Sequence, residues 1–370
     1  MEKIVLIPDS FKGSMASTEV CQIMERAILN HYPECEVVSL PMGDGGEGSV
    51  AALMAAVGGE LVTVEVSGPH FEKVEATYLI DEHFALIEMA SCAGLPLVKG
   101  EKNPAKTTTY GVGELILDAL ERGCRTIGVG LGGSSTVDGG AGVAAALGVK
   151  FLNKAGESFI PTGGSLKEIV EIDLSTKNPL LEGVELFALC DVANPLLGER
   201  GAARVFAPQK GASPELVEEL EEQLTHLFGD SPVALLPGSG AAGGMGGGMA
   251  AFLDATLVGG TNFFLAQIGF DDHLEGASLV ITGEGKIDSQ SSGGKVVSGV
   301  ARRSKEKGVP VVAIVGDIGE GVEEIYKLGV TSILSINNRA VPLEEALKRS
   351  KEDLYFTLDN LMRLLKRVSP

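Results

Sequence analysis

Carboxylates and lysines recur in this chain within short glycine-rich segments, each following an apolar run. Pro8-Asp9-Ser10-Phe11-Lys12-Gly13-Ser14 is the first. It stands at the kind of strand end where open α/β sheets bind ligands, and a lysine beside glycine can meet phosphate as a point charge. The plainer reading is a capped turn with a solvated lysine. Met42-Gly43-Asp44-Gly45-Gly46-Glu47-Gly48 also leaves a strand and opens a helix. Pyrophosphate would be repelled there by Asp44 and Glu47, and acids in such a loop suit Mg2+ or a substrate hydroxyl better. A glycine-rich turn with Glu47 complementing the helix dipole explains the same residues without a ligand. Thr282-Gly283-Glu284-Gly285-Lys286-Ile287-Asp288, with Gly294-Lys295, again mixes acids for a metal with lysines for phosphate.

Two further segments lie mid-chain. Gly130-Leu131-Gly132-Gly133-Ser134-Ser135-Thr136-Val137-Asp138-Gly139-Gly140 offers successive amides, three hydroxyls and a following helix, the ingredients of an anion-binding nest. Lys106-Thr107-Thr108-Thr109-Tyr110-Gly111 is expected to face it. Glycines that only let helix and strand pack closely are the alternative. Cys190-Asp191-Val192-Ala193-Asn194-Pro195 ends an apolar strand with an acid and an amide, and an Asp so placed can accept a hydroxyl proton or hold a metal. Arg200, Arg204 and Lys210 follow, and any of them can hold a carboxylate or phosphate unless it is simple surface charge. None of His31, His70, His83, His226 and His273 lies in a glycine-rich acidic loop, so a histidine triad or zinc site is unsupported.

Spacing of glycines alone carries little. GxGxxG occurs at Gly43–Gly48, Gly128–Gly133 and Gly238–Gly243, but with 50 glycines in 370 residues about one match is expected by chance. No GxxxxGK[ST] is present, and the protein-kinase set is missing too.

The elements that must position these loops follow from hydrophobic periodicity. Ile4–Pro8 reads as a buried parallel strand, followed by a helix with Val20, Ile23, Met24, Ala27 and Ile28 on one face and Ser17 or Thr18 as its cap. Glu36–Leu40 and Gly48–Val57 complete a βαβα unit. The same rhythm returns late, with strands at Leu279–Thr282, Val311–Val315 and Ser332–Ile336, helices at Lys295–Lys307 and Gly321–Leu328, and a long amphipathic stretch after Pro342. Between the halves, Leu61–Val66, Val74–Ile80 and Phe84–Met89 are joined by short loops that suit antiparallel or mixed pairing. Strands at Thr126–Leu131, Val149–Leu152 and Glu185–Leu189 and a helix capped by Ser213-Pro214 come later. The expected fold is therefore α/β with two lobes. Residues 1–70 plus 275–370 would form a discontinuous, Rossmann-like lobe with a parallel sheet flanked by helices. Residues 71–274 would form an inserted α/β lobe with a mixed sheet, and a ligand would enter the cleft between lobes.

Composition narrows the class. A chain of 370 residues is long enough for two cores, and 44% hydrophobic with 22% charged residues is globular. A net charge of −20 argues against nucleic acid, which needs clustered Lys and Arg, without excluding a small phosphorylated ligand. No apolar run approaches the roughly 18 residues that span a bilayer, and the first ten residues have no signal-peptide profile. Five scattered cysteines without CxxC spacing suit a reducing, cytoplasmic setting.

Taken together and in order, these loops resemble the bacterial glycerate kinase family (type I, glycerate 2-kinase). The resemblance rests on Pro8-Asp9-Ser10-Phe11-Lys12-Gly13, Asp44-Gly45-Gly46-Glu47-Gly48, Asn103-Pro104 with Thr107-Thr108-Thr109-Tyr110-Gly111, and Gly132-Gly133-Ser134 with Asp138-Gly139-Gly140. Cys190-Asp191-Val192, Asn194-Pro195-Leu196, Pro208-Gln209-Lys210-Gly211 and Thr282-Gly283-Glu284-Gly285 extend it over nearly the whole chain. It implies ATP-dependent phosphorylation of D-glycerate with Mg2+, usually to 2-phosphoglycerate although 3-phosphoglycerate has been described, with the active site between two α/β lobes. Where the family commonly reads Ala-Thr-Asn-Asp, this chain has Ser135-Thr136-Val137-Asp138, so no polar role passes to Val137. Ala193 and Ser289-Gln290-Ser291 also depart from the usual pattern.

On this resemblance, Asp191 is the expected base or hydroxyl-orienting acid and Lys12 a phosphoryl clamp, with Asp44, Glu284 and Asp288 toward Mg2+. Expected contacts to substrate or phosphate are Asp9, Ser10, Gly45, Gly46, Thr107, Thr108, Gly132, Gly133, Ser134, Ser135, Asn194, Arg200, Lys210, Lys286 and Lys295. ATP and D-glycerate are the expected ligands of a monomer or homodimer. Two rival readings are an NAD(P)-dependent dehydrogenase of a small hydroxy acid, favoured only by GxGxxG, and a non-catalytic sugar-acid sensor.

Overall fold

The computed structural model describes residues 1–43, 48–288 and 295–368. Among them are fourteen strands: β1 (Lys3–Pro8), β2 (Glu36–Ser39), β3 (Glu60–Ser67), β4 (Lys73–Asp81), β5 (Phe84–Glu88), β6 (Thr126–Gly130), β7 (Lys150–Leu152), β8 (Ser158–Phe159), β9 (Glu171–Asp173), β10 (Glu185–Leu189), β11 (Thr256–Val258), β12 (Leu279–Ile287), β13 (Val311–Ile318) and β14 (Val330–Ser335). The chain forms two compact units. One comprises Met1–Asp44, Ala51–Gly58 and Gly260–Pro370, the other Gly45–Val50 and Gly59–Gly259.

The first unit is built on a five-stranded sheet in the order β14-β13-β12-β1-β2, with every pairing parallel. Its strands are near-continuous apolar runs because both faces are covered. Ile4, Leu6, Ile281, Val312 and Ile314 face a core shared with the helices Ser17–His31 and Leu343–Val368, through Met24, Ile28, Leu354, Leu358 and Met362. The alternate residues Val5, Ile7, Val280, Val311 and Ala313 are also buried, on the side of the helix Val296–Glu306. The helix Ser17–His31 begins at Ser17, itself one of the two expected caps, so its cap falls one residue earlier. Ala16 is its N-cap, and Ser17 turns inward and is buried.

From β1 the chain crosses to β2 on one side, while β12 leads to β13 and β14 on the other. The strand order therefore reverses between β1 and β12. In open parallel sheets the crevice at the carboxyl ends of such a pair is the ligand position.

The second unit holds a six-stranded mixed sheet, β11-β10-β6-β5-β4-β3. β3, β4 and β5 pair antiparallel, as short connections require, and β5, β6, β10 and β11 are parallel. A small antiparallel sheet, β8-β7-β9, flanks it. One large core runs through the unit, with Leu115 and Ile116 of the helix Tyr110–Glu121, Leu220 and Leu224 of Pro214–Phe228, and Met245 and Met249 of Met245–Leu253. Ser213 caps Pro214–Phe228 by accepting from the amide of Leu216 at 3.3 Å.

The tract Gly238–Gly248 is a place of close backbone packing. It is buried, and a Cβ on Gly243 or Gly248 would stand 2.0 Å from the carbonyl oxygen of Thr136 or Gly139. Gly243 also has φ +67, which L side chains rarely adopt. Gly128 of the second fingerprint match lies inside β6.

Candidate functional site

At the carboxyl edge of the parallel sheet, β1 and β12 are fastened where the order reverses. The amide of Asp9 donates to the carbonyl of Gly283 (2.9 Å) and the hydroxyl of Thr282 to that of Ile7 (2.8 Å). The chain then makes a tight turn. The Phe11 amide donates to the Met15 carbonyl (2.8 Å), the Met15 amide returns to Phe11 (3.0 Å), and Gly13 takes φ +78. Phe11 and Met15 are anchored in the core, which leaves Lys12 and Gly13 exposed at the tip. The Asp9 carboxylate accepts from the Ser10 amide at 2.6 Å, and both residues are half-buried.

β12 runs on past the end of β1, carrying Glu284 and Lys286 along the same edge. Its glycines permit a close approach of backbones: a Cβ on Gly283 would lie 2.2 Å from the Ile314 carbonyl oxygen. The Glu284 side chain is buried, and Lys295 Nζ lies 3.9 Å from its Oε2. Lys286 Nζ lies 4.0 Å from the carboxylate of Asp288, in a more exposed place where water screens the pair. The structure thus gathers Asp9, Ser10, Lys12, Glu284, Lys286, Asp288 and Lys295 on one unit. Asp44, Gly45 and Gly46 lie outside the described residues. Among the described residues no three or more His, Cys, Asp or Glu side chains cluster closely enough to hold a metal alone. Glu284 and Asp288 each offer the oxygen ligands that Mg2+ takes, a hard cation usually held by one or two carboxylates together with substrate phosphates and water.

In the second unit, Asp191 and the loop Gly132–Ser134 share the carboxyl edge of the mixed sheet, since Leu189 of β10 is in register with Gly130 of β6. The Leu131 amide donates to the Leu189 carbonyl (3.1 Å), so the loop leaves directly beside Asp191. Asp191 is half-buried, and Gly133, with φ +74, is the exposed tip of the loop.

Much of the expected anion nest proves to be filled from within. Asp138 is fully buried, and its Oδ2 accepts from the amide (2.7 Å) and hydroxyl (2.8 Å) of Thr109 and the amide of Gly142 (3.3 Å). Its Oδ1 takes the amide of Gly140 at 3.1 Å. The amides at the start of the helix Ala141–Ala146 therefore hold the chain's own carboxylate. Burial raises the Asp138 pKa, and the four hydrogen bonds pull against that rise.

The hydroxyls are committed as well. Ser135 gives both amide (2.9 Å) and hydroxyl (2.8 Å) to the Ala93 carbonyl. Thr107 and Thr136 bond across to each other's segments: the Thr107 hydroxyl reaches the Ser135 carbonyl (3.0 Å) and the Thr136 hydroxyl the Thr107 carbonyl (2.9 Å). The buried Thr108 accepts from the Tyr110 amide at 3.1 Å. Thr107, Thr108 and Ser135 thus brace the loop from behind, and the part open to a ligand is Gly132 and Gly133 with Ser134 beneath.

Lys210 is interior, only 2% exposed. Its Nζ donates to Ser134 Oγ and to the Thr136 carbonyl, both at 2.7 Å. Burial pushes its amine down to about 7, opposed by the negative charge of Asp138. Asn194 is also bound internally, its side-chain amide donating to the Arg200 carbonyl at 2.8 Å. Arg200 is exposed, and Arg204 is paired with Glu218, one contact being 2.8 Å. One acid escaped the sequence reading. Glu88, at the end of β5 and in register with Gly130, accepts from the Val50 amide at 2.6 Å. An acid closing the apolar run Phe84–Ile87 was the available signal.

These loops have close counterparts. Residues 4–366 match the family described as the glycerate kinase family. The chain is 44% identical to the glycerate kinase of Bacillus cereus, covering 99% of each. It is 42% identical to the glycerate 2-kinase of Escherichia coli K12, covering 95% of each. Its fold is similar, with a TM-score of 0.87 and 39% identity, to a crystal structure described as glycerate kinase 2 from Salmonella typhimurium LT2, over 99% of this chain and 98% of that one. Matches of this identity over nearly the whole length place the chain in the glycerate kinase family of ATP-dependent phosphotransferases.

Proposed function

We propose that the chain transfers the γ-phosphate of ATP to a hydroxyl of D-glycerate, giving 2-phosphoglycerate. The observation that carries this reading is the 42% identity, over 95% of both chains, to a protein named glycerate 2-kinase. Phosphoryl transfer needs little covalent chemistry from a protein, only positioning and neutralised charge.

The nucleotide phosphates are assigned to the crevice between β1 and β12. Lys12 is an exposed cation at a glycine turn, Lys286 lies on the neighbouring strand β12 and Lys295 pairs with Glu284 of that strand. Glu284 and Asp288, with Asp44, would hold Mg2+, which when bound neutralises charge on the phosphate oxygens. Glycerate is assigned to the mixed-sheet edge. Asp191 orients its hydroxyl and accepts the proton, while the amides of Gly132 and Gly133 and the hydroxyl of Ser134 receive its carboxylate. Carboxylate and hydroxyl sit on adjacent carbons in glycerate, so neighbouring groups on one sheet edge suit both.

Buried or strand-bound glycines in two of the three GxGxxG matches weaken the case for a dinucleotide enzyme, and the third, Gly43–Gly48, lies largely outside the described residues. No helix among the described residues is long and apolar enough to cross a membrane. All five cysteines are free, in keeping with action in the reducing cytoplasm. Incubation with D-glycerate and ATP, followed by NMR identification of the phosphoglycerate isomer, tests the reaction. Formation of 2-phosphoglycerate with one ADP per product is expected, and ADP release independent of glycerate would contradict it.

A further inference from the structure

The loop that follows β6 rests on a buried charge. Lys210 Nζ donates to Ser134 Oγ and to the Thr136 carbonyl, both at 2.7 Å. The backbone aims it there. Pro208–Lys210 is a single helical turn, closed by the Gly211 amide on the Pro208 carbonyl at 3.0 Å. Gly211 has φ +95, and a Cβ on it would stand 2.4 Å from the Lys102 carbonyl oxygen, so the turn is pressed against the chain at Lys102. Packing alone does not call for an ammonium here. Burying one costs stability that an apolar side chain of equal size would not, and Asp138 offsets only part of that cost.

The charge decides which way a neighbouring proton points. An ammonium has three protons and no lone pair, so Ser134 can only accept from it. The Ser134 proton must then be given elsewhere. The rest of the loop is fastened to the protein: the Gly133 carbonyl accepts from the Leu95 amide at 2.9 Å, and the Ser135 amide and hydroxyl both go to the Ala93 carbonyl. The Ser134 O–H is left for the ligand side, next to the exposed Gly133. A neutral amine would reverse the bond, since its lone pair can take the Ser134 proton.

We infer that Lys210 is a positioning residue for D-glycerate, its positive charge forcing the Ser134 hydroxyl to turn its proton toward the substrate carboxylate. The inference rests on that carboxylate lying at Gly132–Ser134, as proposed above. Lys210 itself does not touch the substrate. A carboxylate oxygen one hydrogen bond beyond Ser134 stands about 5 Å from Nζ, so charge attraction acts in the same direction. Burial holds the amine down to about 7, so the charge is present below that pH and is lost as pH rises through it. Three other charged groups surround it. Asp138 favours the ammonium, Lys102 is exposed behind Gly211, and Asp191 stands at the neighbouring strand end.

Three variants of the full chain test this: Ser134→Ala, Lys210→Met and the two combined. At pH 6.5 each single change is expected to raise the KM for D-glycerate about tenfold, with kcat and the KM for ATP within threefold. The double variant should be no worse than the weaker single one, because both changes remove the same proton donor. Effects that multiply to about a hundredfold overturn the inference, since Lys210 then acts by a separate route. A pH profile reads what mere support of the loop would not move. Between pH 6.5 and 8.5 the KM of wild type for D-glycerate is expected to rise at least fivefold, and that of Ser134→Ala less than twofold. A flat wild-type profile, or the same rise in both, overturns the inference. Should Lys210→Met fail to fold, this comparison decides alone. A KM for D-glycerate unchanged in Ser134→Ala at both pH values removes the carboxylate from the loop, and with it the reading on which the inference rests.

Discussion

The ammonium of Lys210 donates to the hydroxyl oxygen of Ser134 at 2.7 Å from a position that is 2% exposed, so a buried lysine holds the loop beside Asp191. The same nitrogen bonds the Thr136 carbonyl, two residues further along. Because Ser134 accepts from Lys210, its own proton remains to be given to a ligand oxygen.

This buried amine makes stability depend on pH. Its folded value of about 7 lies below the ordinary 10.5, so between these values the unfolded chain binds more protons and stability rises with pH. Below about 7 both states are charged and the burial penalty is felt in full. Asp138 is the charged group that acts on it. Urea unfolding of wild type and Lys210→Met at pH 7 and pH 9 should show the wild type gaining on the order of 2 kcal/mol relative to the variant. Parallel changes in the two proteins would show that Lys210 does not titrate there.

Gly248→Ala separates packing from ligand binding. The added Cβ would meet the Gly139 carbonyl oxygen at 2.0 Å, a backbone contact that cannot yield cheaply. A loss of roughly 3 kcal/mol or more of stability is expected, as for overpacked cores, by thermal or urea unfolding. The KM for ATP of whatever remains folded should be unaltered. Normal stability with weakened ATP binding would restore a nucleotide role to the glycine tract.

Lys12→Ala should do the reverse. Lys12 is exposed at the tip of a turn anchored by Phe11 and Met15, so its loss leaves stability within about 0.5 kcal/mol. Steady-state kinetics should show the KM for ATP rising and kcat falling, together by tenfold or more in kcat/KM. Unchanged kinetics would remove Lys12 from phosphate binding.

The strands were legible because burial on both faces writes itself as uninterrupted apolar runs such as Ile4–Ile7 and Val311–Val315. The carboxyl-edge loops were legible for a related reason, since glycine and charge follow those runs abruptly. What escaped is three-dimensional. Nothing local tells Lys210 from the surface residues Gln209 and Arg200, because its partners lie 74 and 76 residues away. The amides around Asp138 looked available in sequence because Thr109, which helps seal that carboxylate, is 29 residues earlier. The fingerprint-like spacing in Gly238–Gly248 reflects backbone crossings that only the folded chain reveals.

The most direct measurement is glycerate-dependent ADP release by Asp191→Asn against wild type, at saturating ATP and D-glycerate. Asparagine keeps the size of the side chain but cannot take the hydroxyl proton. A fall in kcat of about 10² to 10⁴, with the KM for ATP within threefold and stability preserved, is the expected result. Turnover within threefold of wild type would contradict the placing of the acceptor hydroxyl at Asp191.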